Sequence, residues 1–184
     1  MGVDVMSDYA IYPYILHDGT WSLSDSQAMG LFDRISQSGH EDILWDGSIN
    51  TREKFLYDMK NHSRLYVLMA MDAIAGIFWL NRFENKMARL HHCGFSGVSY
   101  RDKINIARMT IKTLLEVKRP DGSYALDVLV GHTPTRLRRA VRFIRTVGGM
   151  PVGTVPGLLW NAKTGESEEG LISYFVREAY ENLQ

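Results

Sequence analysis

Residues 86–117, KMARLHHCGFSGVSYRDKINIARMTIKTLLEV, carry the pattern that decides the fold. The pattern is that of a strand, a short polar turn and an amphipathic helix with Arg101 and Lys103 in its first turn. The open backbone N–H groups and positive dipole end of that helix would lie just past a strand end. Such a junction favours anions, so two interpretations stay open: a site for a phosphorylated ligand, or a solvated loop before a capped helix.

On both sides of this stretch, the spacing of the apolar residues is typical of a strand in some segments and of a helix in others. Further strands are predicted over 9–17, 64–71, 73–82, 124–131, 152–160 and 171–180. Further helices are predicted from a Ser24 cap to 38, from an Asn50–Glu53 capping box to 61, and over 136–147. Pro13 favours an edge position for the first strand. The order β-α-α-β-β-β-α-β-α-β-β predicts a mixed α/β (α+β) fold, with helices on both faces of one sheet.

Composition indicates one globular domain over residues 1–184, with 45% hydrophobic and 23% charged residues. The formal net charge is zero, so bulk charge gives no argument for nucleic acid, membrane or acidic partners. The single cysteine, Cys93, excludes an intrachain disulfide and favours a reducing compartment. The sequence shows no signal-peptide pattern and no apolar run of bilayer length, so a cytoplasmic location is expected.

Three chemically useful side chains follow one another before the junction: His91, His92 and Cys93. Strand alternation sends His91 and Cys93 to one face and His92 to the other, so they cannot converge on one ion and no metal site is predicted. Imidazole titrates near neutral pH, which makes either histidine a candidate general base. The cysteine is either a core residue or, as the weaker alternative, a nucleophile.

Five arginines crowd the helix predicted over 136–147. Helical spacing puts Arg138, Arg142 and Arg145 on one face, opposite an apolar face. This pattern is typical of the solvated side of an amphipathic helix. Contact with phosphate or nucleic acid is the alternative interpretation.

The ordered elements together resemble the GNAT superfamily of acyl-CoA-dependent N-acyltransferases, in particular its short, divergent members from bacteriophage and prophage genomes. Two segments carry this resemblance. Residues 97–116 are similar to the family's strand–turn–helix pyrophosphate motif: Arg101 matches its first position, and Ile104 and Ile106 stand where the family has glycines. Residues 131–157 are similar to the segment in which a Thr-Pro turn opens the fourth helix and a Gly-x-x-Pro-Gly strand follows.

The resemblance implies a GNAT-like, mostly antiparallel sheet that is splayed between its fourth and fifth strands and binds acetyl-CoA there as co-substrate. It implies pantetheine contacts from the backbone of Ser96, Gly97 and Val98. It implies a pyrophosphate site formed by Arg101, Lys103, Ile104, Asn105 and Ile106. The expected partner is a small-molecule or peptide amine, with no membrane and no nucleic acid, and the oligomeric state is open, a dimer included.

A tyrosine of the fourth helix often protonates the leaving thiolate in this family, whereas the corresponding region here has Phe143 and no tyrosine. The resemblance therefore makes His92, His91 and Tyr100 the candidate catalytic residues. The leading expectation is an N-acetyltransferase in which an amine attacks acetyl-CoA directly. The alternative is a non-catalytic GNAT-like binding or structural protein that has lost turnover.

Overall fold

The structure, a computed structural model, describes residues 8–38 and 49–181. The strands within these ranges are β1 (Tyr9–Pro13), β2 (Leu16–His17), β3 (Thr20–Trp21), β4 (Arg64–Ala70), β5 (Ala73–Glu84), β6 (Met87–Gly94), β7 (Val128–Pro134), β8 (Met150–Asn161) and β9 (Glu166–Val176). The helices are α1 (Asp25–Gln37), α2 (Arg52–Asn61), α3 (Tyr100–Glu116), α4 (Arg138–Thr146) and α5 (Glu178–Glu181). None of these helices has the length and apolar composition needed to cross a membrane.

Seven strands form one sheet in the order β1-β4-β5-β6-β7-β9-β8, and β6 and β7 are the parallel pair in an otherwise antiparallel arrangement. Residues 87–89 pair with residues 128–130, and the pairing ends there. Both strands continue, β6 to Gly94 and β7 to Pro134. The two strands therefore diverge into a splay. Because β6 and β7 are the fourth and fifth strands of this sheet along the chain, the predicted fold class is confirmed.

A helical layer covers each face of the sheet. On one face, hereafter the α3/α4 face, Phe78 and Leu80 of β5 join a buried cluster with α3, against which α4 packs. On the opposite face, hereafter the α1/α2 face, Ile77 and Trp79 join a second cluster with α1 and α2. Successive side chains of β5 therefore enter two separate cores on opposite faces of the sheet, as the continuous apolar pattern of this strand predicts.

The first predicted strand is shorter than expected. It ends at Pro13, because the chain then forms the small β2–β3 hairpin around Asp18 and Gly19, both in the left-handed region with φ of 48° and 76°. The edge position indicated by Pro13 is confirmed, since β1 is the outermost strand on its side of the sheet. Ser24 caps α1 as predicted, with a capping box to Gln27.

Other boundaries also differ from the sequence prediction; for example, the strand predicted over 124–131 is β7, Val128–Pro134. The N-cap of α2 is Thr51 rather than Asn50, because the Thr51 side chain accepts a hydrogen bond from the Lys54 N–H. The last strand ends at Val176 rather than near residue 180. There the Arg177 guanidinium donates back to two loop and helix carbonyls, and the chain turns into α5.

Candidate active site

The splay exposes peptide groups of β6. A Cβ atom on Gly76 of β5 would collide with the carbonyl oxygen of Cys93, so that carbonyl faces β5. Peptide groups of successive strand residues point in alternate directions within the sheet. The N–H and C=O groups of His92 and Gly94 therefore point into the splay, where β7 has already moved away. This edge can pair with an extended ligand.

The N-terminus of α3 lies beside the open end of the splay and already carries an anion. Ser99 caps the helix, accepting a hydrogen bond from the Asp102 N–H at 3.1 Å and donating to Asp102 Oδ2 at 2.6 Å. The Tyr9 hydroxyl donates to Asp102 Oδ1 at 2.8 Å. The hydrogen bonds from Ser99 and then from Tyr9 lower the pKa of Asp102, so its carboxylate is charged at neutral pH. It complements the positive end of the helix dipole.

The helix begins earlier than the motif match implies. The Lys103 N–H donates to the Ser99 carbonyl at 3.1 Å, so backbone N–H groups from Lys103 onward belong to the helix ladder. Of the first-turn amides, those of Tyr100 and Arg101 precede this ladder, and the Asp102 amide is taken by the Ser99 cap.

The eight predicted cofactor residues lie in different environments. Ser96, Gly97 and Arg101 are exposed, and Gly97 has the left-handed φ of 89° that the turn requires. Lys103 is half-buried, with its stem across Gly94. The other four residues make contacts within the protein. Val98 and Ile104 pack against the α3/α4 core, and Ile106 is buried within that core. Asn105 donates a hydrogen bond to the Tyr9 hydroxyl. The side chain of Ile106 is therefore a packing residue.

On the α3/α4 face, two predicted catalytic residues converge on Phe143 of α4. The His92 ring lies between Phe78, at a centroid distance of 4.6 Å, and Phe143, at 4.9 Å and nearly parallel. The Tyr100 ring contacts Phe143 edge-on at 6.3 Å and is 55% exposed. Phe143, at the position of the expected tyrosine, thus packs between a histidine and a tyrosine.

His91 lies on the α1/α2 face, opposite to His92, as strand alternation indicates. Its ring stacks on Trp79 at 4.8 Å, and its Nε2 is 3.1 Å from Asn81 Oδ1. An amide oxygen can only accept, so Nε2 is the donor and Nδ1 is the basic nitrogen of the neutral ring. This orientation suits a proton acceptor on that face.

A third histidine, His132, was missed in the sequence analysis. It lies on β7, two residues beyond the last pair with β6, and alternation from the core residue Leu129 places it on the α1/α2 face with His91. Burial, followed by the charges of Arg89 and Arg82, lowers its pKa from 6.5 to about 4. The predicted strand ends at Gly131, whereas β7 continues through His132 to Pro134.

Cys93 is a core residue. It is 2% exposed, and burial raises the pKa of its thiol to about 12 despite the nearby Lys103 charge. A thiol of such high pKa is a poor nucleophile at neutral pH. Within residues 8–38 and 49–181, no three His, Cys, Asp or Glu side chains are placed to hold a metal ion.

The arginine helix borders the splay. Arg139 lies one turn before Phe143 on the same side of α4, and Arg142 lies one turn before Thr146, whose carbonyl accepts from Arg108 of α3 at 2.7 Å. Arg139 therefore lies beside Phe143, whereas Arg142 is exposed on the face that it shares with Arg138 and Arg145. In the part of the chain that the structure describes, no ion pair engages the exposed arginines Arg138, Arg139, Arg142 and Arg145.

Comparison with known proteins identifies the fold. Protein-family models and curated protein sequences give no match to this chain. Among solved structures, a spermidine N-acetyltransferase from Vibrio cholerae in complex with CoA and spermine is similar with a TM-score of 0.68 and 12% identity, over 96% of this chain and 99% of that one. A probable GNAT-family acetyltransferase from Chromobacterium violaceum gives 0.67 and 14%, over 94% and 85%.

The microcin C7 self-immunity acetyltransferase, solved with acetyl-CoA and AMP, is similar with a TM-score of 0.62 and 16% identity, over 83% of this chain and 88% of that one. Identities this low establish the architecture and nothing finer. The likeness nevertheless extends over nearly the whole chain and agrees with the parallel, splayed pair β6–β7. The protein therefore has the fold of the GNAT acetyltransferases.

Proposed function

We propose that this protein is an N-acetyltransferase that uses acetyl-CoA as co-substrate and an amine as acceptor. The observation that carries the proposal is the splay, in which the peptide groups of Gly94 face the gap to β7 between two faces that both carry imidazoles. An extended pantetheine arm fits such an edge as an added strand does. The neighbours solved with acetyl-CoA or CoA have the same fold, which supports this choice of co-substrate.

The proposed reaction is a direct transfer. The amine nitrogen attacks the thioester carbonyl carbon, an N–C bond forms, the C–S bond breaks, and the nitrogen loses a proton while the leaving thiolate gains one. His91 and His132 on the α1/α2 face are the candidate bases for the amine proton. On the α3/α4 face, Tyr100 and His92 beside Phe143 are the candidate donors to the thiolate.

The phosphates of the co-substrate need cations, because Asp102 already complements the dipole of α3. Arg139 lies one turn before Phe143 on α4, Arg142 is exposed on the neighbouring side of that helix, and Arg101 is exposed at the start of α3. We assign these three guanidinium groups to the phosphates. Arginine binds phosphate oxygens bidentately, so it can replace the glycine-rich backbone contact that Ile104 and Ile106 do not offer.

Calorimetric titration with acetyl-CoA tests the proposal. We expect binding to the intact protein, and a decrease in affinity of about tenfold to a hundredfold when Arg139 and Arg142 are both replaced by Ala, since two charge-assisted contacts are lost. Arg119→Ala, at an exposed site in the turn that follows α3, is the matched control and should change the affinity little. Absence of binding at millimolar acetyl-CoA would contradict both the co-substrate and the activity.

A non-catalytic GNAT-like protein is the second candidate. Two features favour a non-catalytic protein, because both weaken a backbone phosphate site. One is the Asp102 carboxylate at the α3 terminus, and the other is the presence of Ile104 and Ile106 at the positions where the family has glycines. This candidate predicts no release of free thiol from acetyl-CoA with any amine. Turnover with a defined amine would eliminate it.

A further inference from the structure

Helix α4 has a solvent side that consists of arginine alone. Its other residues are half-buried, and Phe143 and Ile144 pack against the α3/α4 core. The exposed residues of the helix are Arg138, Arg139, Arg142 and Arg145. The helix therefore offers solvent four guanidinium groups and no exposed apolar side chain.

These arginines lie in a part of the chain that has no acidic residue. Residues 128–165, which include β7, α4 and β8, contain no aspartate or glutamate, although the whole chain has 21 of them. The strands β7 and β8 pack against α4 and so bring no carboxylate to it. The chain is neutral overall, and its charges are distributed so that the cations of α4 form a local positive surface.

The acids of the neighbouring helix α3 are engaged by their own surroundings. Asp102 is held at the start of α3 by hydrogen bonds from two side-chain hydroxyls, at 2.6 and 2.8 Å. Glu116 lies 3.9 Å from the Lys112 ammonium at the other end of the same helix. Since α3 also carries the exposed Arg101, it does not offset the charge of α4.

Three acids on β9 and α5 complete the surroundings of α4. Glu168 of β9 receives Arg136 Nε at 2.6 Å. Glu169 is exposed beside Thr135, just before α4, and Glu178 is exposed on α5 near the other end of α4. Over residues 8–38 and 49–181, neither of these two exposed acids forms an ion pair with α4. Two unpaired acids at its ends leave the four arginines with an excess of positive charge.

Three of the arginines form a row along the helix, hereafter the α4 arginine row: Arg138, Arg142 and Arg145. They lie within about 60° of the helix circumference, at spacings of about 6 and 4.5 Å along its axis. Arg142 is among the guanidinium groups assigned above to the co-substrate, whereas Arg138 and Arg145 lie on either side of it and outside that set. A row that continues in both directions suits a linear polyanion.

We propose that the α4 arginine row binds the phosphate backbone of a nucleic acid, without regard to base sequence. Guanidinium groups bind phosphate oxygens bidentately, and cations clustered along one helix are typical of such binding. Other polyanionic partners fit less well: a helix that lies in a membrane surface inserts apolar side chains, and a protein interface has an apolar core. This partner lies outside what the family resemblance implies, and its binding does not depend on acetyl transfer.

Fluorescence anisotropy of a labelled oligouridine of about 20 nucleotides tests the inference, with the intact protein and without acetyl-CoA. We expect a dissociation constant of about 1–100 μM at about 50 mM salt, with an affinity that falls steeply as salt is added. Replacing both Arg138 and Arg145 by Gln should weaken the binding about tenfold at low salt. It should also reduce the slope of log K against log salt by about 1.4, because two phosphate contacts are lost.

Lys54→Gln combined with Arg119→Gln is the matched control, because it removes two exposed cations from α2 and from the turn after α3. This control should leave the affinity and the salt slope almost unchanged. Far-UV circular dichroism should show the same helix content for both double variants, since all four side chains are exposed.

Three results would overturn the inference: no binding at about 100 μM protein, equal losses in the two double variants, or tighter binding to phosphatidylserine-containing vesicles than to the oligonucleotide. The last result would identify a membrane surface as the partner instead. Failure of acetyl-CoA to bind in calorimetry would count against the proposed function alone, because the anisotropy titrations contain no acetyl-CoA.

Discussion

His132 illustrates how one residue links the fold to proton affinity. Its pKa is lowered from 6.5 to about 4, by burial first and by Arg89 and Arg82 next. The unfolded chain therefore binds an additional proton as the pH falls below 6.5, and the folded protein does so only near pH 4. The free energy of unfolding should decrease through that window and level off below it.

Urea denaturation at several pH values across this window measures the effect. His132→Gln should flatten the decrease in stability between pH 6.5 and about 4, because the group responsible is gone. His62→Gln, at an exposed site, is the matched control. A pH profile that His132→Gln leaves unaltered would refute this account.

Asp102 decides how far the α3 terminus can take part in anion binding. Asp102→Asn keeps the size of the side chain and one acceptor oxygen and removes the negative charge, so we expect a severalfold tighter acetyl-CoA complex, measured by calorimetry, because repulsion of the pyrophosphate is relieved. Asp121→Asn, in the turn before β7, removes a carboxylate elsewhere and should leave the affinity as it is. An unchanged affinity for Asp102→Asn would show that the phosphates lie away from the helix terminus.

At the scale of elements, a close contact between β5 and β6 positions the splay. Gly76→Ala would drive a Cβ atom into the Cys93 carbonyl and displace the part of β6 that lines the splay. We expect a loss of about 1–3 kcal/mol in the free energy of unfolding and weaker acetyl-CoA binding. Gly30→Ala in α1 meets no atom within 4 Å and should stabilise the protein by about 0.5–1 kcal/mol. Chemical denaturation of both variants distinguishes the two effects.

The elements themselves were largely predictable, because local physics determines them. The Ser24 cap, the edge position of Pro13 and the alternation of His91 and His92 all follow from short-range rules, and the structure agrees. The start of α3 also had a local signal, Ser99 followed three residues later by Asp102. The hydrogen bond of Tyr9 to that acid had none, since the two residues are 93 positions apart.

At the scale of the whole molecule, the fold class was predictable from element order, and much of the candidate site was not. The site depends on which side chains the two diverging strands β6 and β7 bring to one face. Such features arise from register and tertiary packing, which leave no short-range pattern in the sequence. This explains why His132 was absent from the predicted site.

The three residue pairs between β6 and β7 also mark the boundary between two parts of the sheet. The elements from β1 through α3 lie on one side of this boundary and precede the turn closed by Gly122. The elements from β7 through α5 lie on the other side and follow that turn. The chain is thus two contiguous pieces that share a buried cluster, with Ile106 from one piece and Leu129 from the other. A cut at that turn would give complementing fragments, each with one wall of the splay, so that the site would exist only when the two fragments associate.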